Sequence, residues 1–144
     1  MKLRFRFEKL TVWQEARKLN REVYRLSRSF PEREAFGLTS QLRRAAVSVV
    51  ANIAEGAGRN SDKDFAHFLE QAYGSLMEVA ALLHLAFDES YTSEADAERL
   101  LNFIEVLAKQ LAALNRSLTV KTSKTPFPRR ASPALDPRPS TLDQ

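Results

Sequence analysis

The chain of 144 residues has no cysteine, so neither a disulfide nor a thiolate-bound metal is available to hold it together. Its stability has to come from a packed apolar core, and this length is enough for one. There are only two histidines, His67 and His84, too far apart in sequence to form an i, i+4 metal pair on a helix. No carboxylate cluster joins them at ligand spacing. The sequence has no P-loop and no nucleophile elbow. Gly56-Ala57-Gly58 is too short to cradle a phosphate and reads as a helix end. No catalytic residue, no metal and no cofactor is expected, which argues against an enzyme. No apolar run approaches the roughly 18 residues of a membrane span, and MKLRFRFEKL lacks the apolar segment of a signal peptide. The expectation is a cytoplasmic protein without membrane contact. Alternation at period 2 is confined to residues 2–7, too few to found a sheet.

Charge is present but unevenly placed. Residues 119–144 carry Lys121, Lys124, Arg129, Arg130 and Arg138 against Asp136 and Asp143. Residues 1–10 carry Lys2, Arg4, Arg6 and Lys9 against Glu8. Each end is therefore +3, and the total of +4 leaves the body between them at −2. Five of the six prolines also fall after Thr119, among Ser, Thr, Lys and Arg. Such a segment buries too little apolar surface to offset its ordering entropy. The sequence thus divides into a helical domain, 1–118, and a disordered, basic, Pro-rich tail, 119–144.

Within the domain the apolar spacing is that of four helices. Val12, Ala16, Leu19, Val23, Leu26 and Phe30 repeat at 4 and 3, predicting a first helix from Thr11 to Ser29 that Pro31 stops. Residues 31–37 form the connection, and the second helix follows to about Ala57, with Gly56 and Gly58 at its end in a left-handed backbone. Ser61 and Ser93 each precede an acidic residue by three positions, reading as N-caps. The third helix, Asp62 to Asp88, presents Phe65, Phe68, Leu69, Ala72, Leu76, Val79, Leu83 and Phe87. The fourth carries Leu100, Ile104, Leu107, Leu111, Leu114 and Leu118. Short links favour antiparallel neighbours, so the fold class is all-α, an up-down-up-down four-helix bundle.

The stretch GLTSQLRRAAVSVVANIAEGAGR, residues 37–59, is the most unusual. Leu38, Leu42, Ala45, Ala46, Val49, Val50 and Ile53 form its main apolar face. Val47, Ala51 and Ala54 extend that face beyond half the circumference, interrupted mainly by Arg43. This helix should be covered on most sides, by its own chain or by further copies. Its polar residues, Gln41, Arg44, Ser48, Asn52, Glu55 and Arg59, stack along one thin stripe. Two readings stay open for the stripe: a self-satisfied hydrogen-bonded seam, with Ser75 and Glu78 as cross-helix partners, or a ligand or interface site.

The same run resembles the four-helix-bundle proteins encoded in intervening sequences of bacterial 23S rRNA genes. The shared pattern takes in Phe7, Leu10, Val12 and Trp13, then Phe30-Pro31 and residues 37–59. It continues through Asp64-Phe65, Phe68-Leu69, Ala72-Tyr73-Gly74-Ser75 and Glu78, and it covers about residues 5–118. A more remote similarity links the chain to the accessory variability proteins of diversity-generating retroelements. The resemblance implies a ring-shaped homo-oligomer, a pentamer, whose relatives pair with a reverse transcriptase and bind nucleic acid.

The residues themselves point to one candidate surface for such binding. Arg17, Arg21, Arg25 and Arg28 recur at spacings of 4, 4 and 3 on the first helix with Lys18 beside them, opposite its apolar seam. A row of guanidiniums suits phosphate backbones, since each can bond two phosphate oxygens. The plain alternative is a solvated face with ion pairs such as Lys18 with Glu22. Trp13 and Tyr24 are aromatic candidates for base stacking, or else part of the seam. The expected function is a non-enzymatic oligomer that binds structured RNA or other nucleic acid. The alternative is a protein–protein adaptor or scaffold for a nucleic-acid enzyme such as a reverse transcriptase. A small-molecule carrier using the second-helix stripe would need a pocket the sequence does not reveal.

Overall fold

The structure is a computed structural model that describes residues 1–122. Four helices account for most of it: α1 (Thr11–Ser27), α2 (Leu38–Ala57), α3 (Asp62–Asp88) and α4 (Glu94–Thr122). Each helix packs on its two neighbours in the ring α1–α2–α3–α4–α1, and among the described residues neither diagonal pair brings its Cα atoms within 8 Å. That is the all-α up-down-up-down bundle. There is no strand among the described residues, and residues 2–7 lead instead into a short 3-10 turn, Arg6–Lys9.

The helix ends follow local chemistry. Ser61 Oγ accepts from Asp64 N at 3.1 Å and Ser93 Oγ from Asp96 N at 3.1 Å, so both serines act as N-caps. α1 stops at Ser27, two residues short of the predicted Ser29. Phe30 N there bonds Ser27 O at 3.2 Å, and Phe30 turns back into the core ahead of Pro31. α4 runs four residues beyond Leu118, because nothing in Thr119–Thr122 breaks a helix. The rest of the predicted tail, 123–144, lies outside the described residues.

The core comes from the predicted 4-3 positions. Leu19, Leu42, Val49, Ile53, Leu69, Leu76, Leu83, Leu107 and Leu111 are all fully buried. Phe87 is an exception. It sits on the predicted face but in the last turn of α3, where no neighbour covers it, and 43% of it is exposed. The two glycines also behave differently from expectation. Gly58 closes α2 at φ −86°, an ordinary right-handed value. Gly56 lies inside α2, where a Cβ would come within 2.7 Å of Phe68 Cβ, so it serves close approach to α3. The left-handed position instead falls to Ser90, after α3, at φ 62°.

Candidate nucleic-acid interface

Arg17, Lys18, Arg21 and Arg25 are exposed on α1, and Arg28 is exposed at its C-cap. The first four, with Gln14 and Glu22, line one wall of a groove of about 550 Å³ whose other wall is Phe103 of α4. Arg28, one turn further on, lies outside it. Helical spacing puts Arg17, Arg21 and Arg25 on one line with Lys18 beside them, and Phe103 of α4 supplies the opposing apolar wall.

Carboxylates neutralise part of the row. Lys18 pairs with Glu15 at 3.0 Å rather than with Glu22. Glu22 is engaged twice, by Arg25 at 3.1 Å and by Arg99 of α4 at 2.9 Å. Arg17 instead lies over the Trp13 ring, 5.5 Å from its centre. Among the described residues Arg17, Arg21 and Arg28 have no ion-pair partner. The exposed pairs hold these side chains only weakly, each worth about 0–1 kcal/mol, and a polyanion can displace them.

The aromatic candidates turn out to be occupied. Trp13 is half-buried, with Phe7 packed edge-on against it at 4.9 Å and the Arg17 guanidinium over it. Tyr24 lies beneath Arg43, 4.7 Å from its guanidinium. One face of each ring is thus taken, while Tyr24 keeps 38% of its surface exposed. The N-terminal arm is tied down in the same manner. Arg6 lies over Phe65 at 5.2 Å, and its Nη1 donates to Ala57 O at 3.4 Å. The amides of Arg4 and Phe5 donate to the Glu8 carboxylate and hold its pKa below the usual carboxylate value, and the charges of Arg4 and Arg17 add to this.

The α2 stripe resolves into two parts. Ser48 and Ser75 share a hydrogen bond of 2.8 Å across the α2–α3 contact, and Asn52 Nδ2 donates to Ser48 O at 2.9 Å and Ser48 Oγ at 3.0 Å. This half-buried segment is a self-satisfied seam. Glu55 and Arg59 pair at 3.0 Å on the surface, with Arg59 also over Phe68 at 4.6 Å. Gln41 and Arg44 stay exposed, and among the described residues neither Arg44 nor Glu78 bonds to the seam. The seam draws Ser48 and Asn52 toward α3, so the outer line of α2 is Arg44, Val47, Ala51 and Glu55, which the described residues leave open.

The family model of the 23S rRNA-intervening sequence protein matches residues 8–113, from the first turns of the bundle through most of α4. The chain belongs to that family. Among solved structures, this family member is similar to a protein of unknown function from the S23 ribosomal protein family of Bacteroides thetaiotaomicron VPI-5482. Identity is 22% and the TM-score 0.69, over 74% of this chain and 99% of the other. At that identity the likeness speaks for the fold. No curated protein matches the chain.

Two features of this family member escaped sequence reasoning. Phe103 was passed over because it sits one position before Ile104 in the 4-3 repeat. The packing of α4 on α1 places it beside the arginines. Arg43 read as an interruption of an apolar face, and its surroundings became visible only in three dimensions. Among the described residues no group of three or more His, Asp or Glu could hold a metal ion, and no helix is long and apolar enough to cross a membrane.

Proposed function

We propose that the chain is a non-enzymatic, self-assembling protein of the cytoplasm that binds structured RNA through the basic face of α1. The reading rests above all on the α1–α4 groove, where Arg17, Arg21 and Arg25 stand in line beside Lys18 and, among the described residues, no acid but Glu22 joins the lining. Guanidiniums at helical spacing contact phosphates and shape, so binding is expected to discriminate poorly among sequences. Family membership supports an RNA-related setting.

Self-assembly into a ring, a pentamer, is part of the same proposal. Its support is apolar surface that the monomer leaves uncovered: Phe36 at 100%, Val106 at 57% and Leu85 at 51% exposed, with Val47 on the open line of α2. Such residues equally suit a protein partner, which is the second reading, an adaptor for a nucleic-acid enzyme.

The test is binding of the full chain to a structured rRNA fragment, with and without Arg17→Glu, Arg21→Glu and Arg25→Glu together. The expected outcome is loss of RNA affinity with helix content and oligomeric state unchanged. Undiminished affinity in the triple variant would remove the α1 face from the account. Absence of binding by the parent chain would favour the adaptor.

A further inference from the structure

Arg43 interrupts the apolar side of α2, and the structure shows how it is held. Its Nε donates to Ser27 Oγ at 2.8 Å, and its guanidinium lies 4.7 Å from the centre of the Tyr24 ring. Ser27 is buried and belongs to the last turn of α1, so a rigid part of the bundle aims this side chain. The two terminal nitrogens are left with no hydrogen bond among the described residues. Arg44, the next residue, is exposed. Among the described residues neither arginine has an ion-pair partner.

Both guanidiniums line a cavity of about 490 Å³ together with Tyr24, Ser40, Val47 and Ser48. The nearest carboxylate in sequence, Glu34, is occupied elsewhere: its Oε2 accepts from Leu38 N at 2.9 Å. Among the described residues no acid lines the cavity. A clamped guanidinium loses little freedom when it binds, and two uncompensated cations side by side match a dianion better than a single negative charge.

We infer that this cavity between the end of α1 and the first half of α2 binds a phosphate monoester or inorganic phosphate, with Arg43 as the fixed fork and Arg44 as the mobile second cation. Ser40 supplies a hydroxyl at the rim. The site is separate from the α1–α4 groove and does not depend on RNA binding there. A free phosphate ion and the terminal phosphate of a nucleotide chain present the same chemistry to it.

The experiment follows the arginine Nε–Hε signals of the ¹⁵N-labelled full chain during titration with inorganic phosphate at constant ionic strength, with acetate as the monoanion control. The Arg43 signal is assigned by its loss in Arg43→Gln. Phosphate should move it saturably and acetate should not. Arg43→Gln and, separately, Arg44→Gln should weaken phosphate binding about tenfold or more, as loss of a charged hydrogen bond does. Arg44 is exposed, so its variant reports even if Arg43→Gln disturbs folding. The triple glutamate variant of α1 should bind phosphate as the parent does. A 5′-phosphorylated oligoribonucleotide that competes where its 5′-hydroxyl counterpart does not identifies a chain terminus as the source. Competition by neither identifies free phosphate, and both results uphold the site. A linear response, an equal response to acetate, or full affinity in Arg44→Gln would overturn it.

Discussion

A Cβ built on Gly56 would lie 2.7 Å from Phe68 Cβ and 2.9 Å from a ring carbon of Phe65. Neither atom is the far end of a flexible chain, so the helices themselves would have to part. Alanine gains about 1 kcal/mol of helix propensity over glycine, but overpacking a core costs about 1–3 kcal/mol and occasionally more. Gly56→Ala is expected to lose about 1 kcal/mol of stability in urea unfolding, although the residue sits inside a helix. Ser90 presents the opposite case. Ser90 N bonds Phe87 O at 2.9 Å and Tyr91 N bonds Ala86 O at 2.9 Å, the paired bonds of a Schellman turn, with Ser90 left-handed at φ 62°. Glycine takes that backbone without strain, while the freer unfolded chain offsets part of the gain. Ser90→Gly should therefore stabilise by about 0.5 kcal/mol, read as a rise in melting temperature. Both residue types were visible in the sequence. Their roles were not, because close approach and backbone handedness are properties of neighbours.

At the scale of the element, α2 holds most of the interest. Its stripe looked uniform in sequence, yet the structure splits it: Ser48 and Asn52 turn inward to Ser75 of α3, while Gln41 and Arg44 face solvent. A double-mutant cycle of Ser48→Ala and Ser75→Ala should give a coupling of about 0.5–1.5 kcal/mol, the net worth of a half-buried neutral hydrogen bond. A coupling near zero would mean that water replaces the bond without cost. The caps at Ser61 and Ser93 and the apolar faces of all four helices could be read directly, since they depend on residues within one or two turns. Phe87 could not, because the pattern names a face but not how far along the helix a neighbour covers it.

For the whole molecule, the salt dependence of RNA binding counts the cations that act together. Four groove cations per chain predict a slope of log affinity against log salt of about −3 to −4, since each neutralised phosphate contributes about −0.7 in a single strand and about −0.9 in a duplex. Affinity should then fall about 50- to 150-fold between roughly 50 and 200 mM salt. A slope several times steeper, measured beside the sedimentation-derived mass, would indicate that several chains engage one RNA. A slope near zero would exclude the basic groove as the source of affinity.

Helix count, order, approximate ends and the buried face of each helix were determined by the sequence alone. Apolar period, caps and prolines act over a few residues, and the four-helix class follows from them. The tertiary structure decided what each polar side chain meets. It brought Phe103 to the arginines of α1, spent Trp13 and Arg6 on packing, made Gly56 a contact point and laid Arg43 against Ser27 and Tyr24 at an open cavity. These outcomes join residues distant in sequence, and their geometry depends on how closely and at what angle the helices pack.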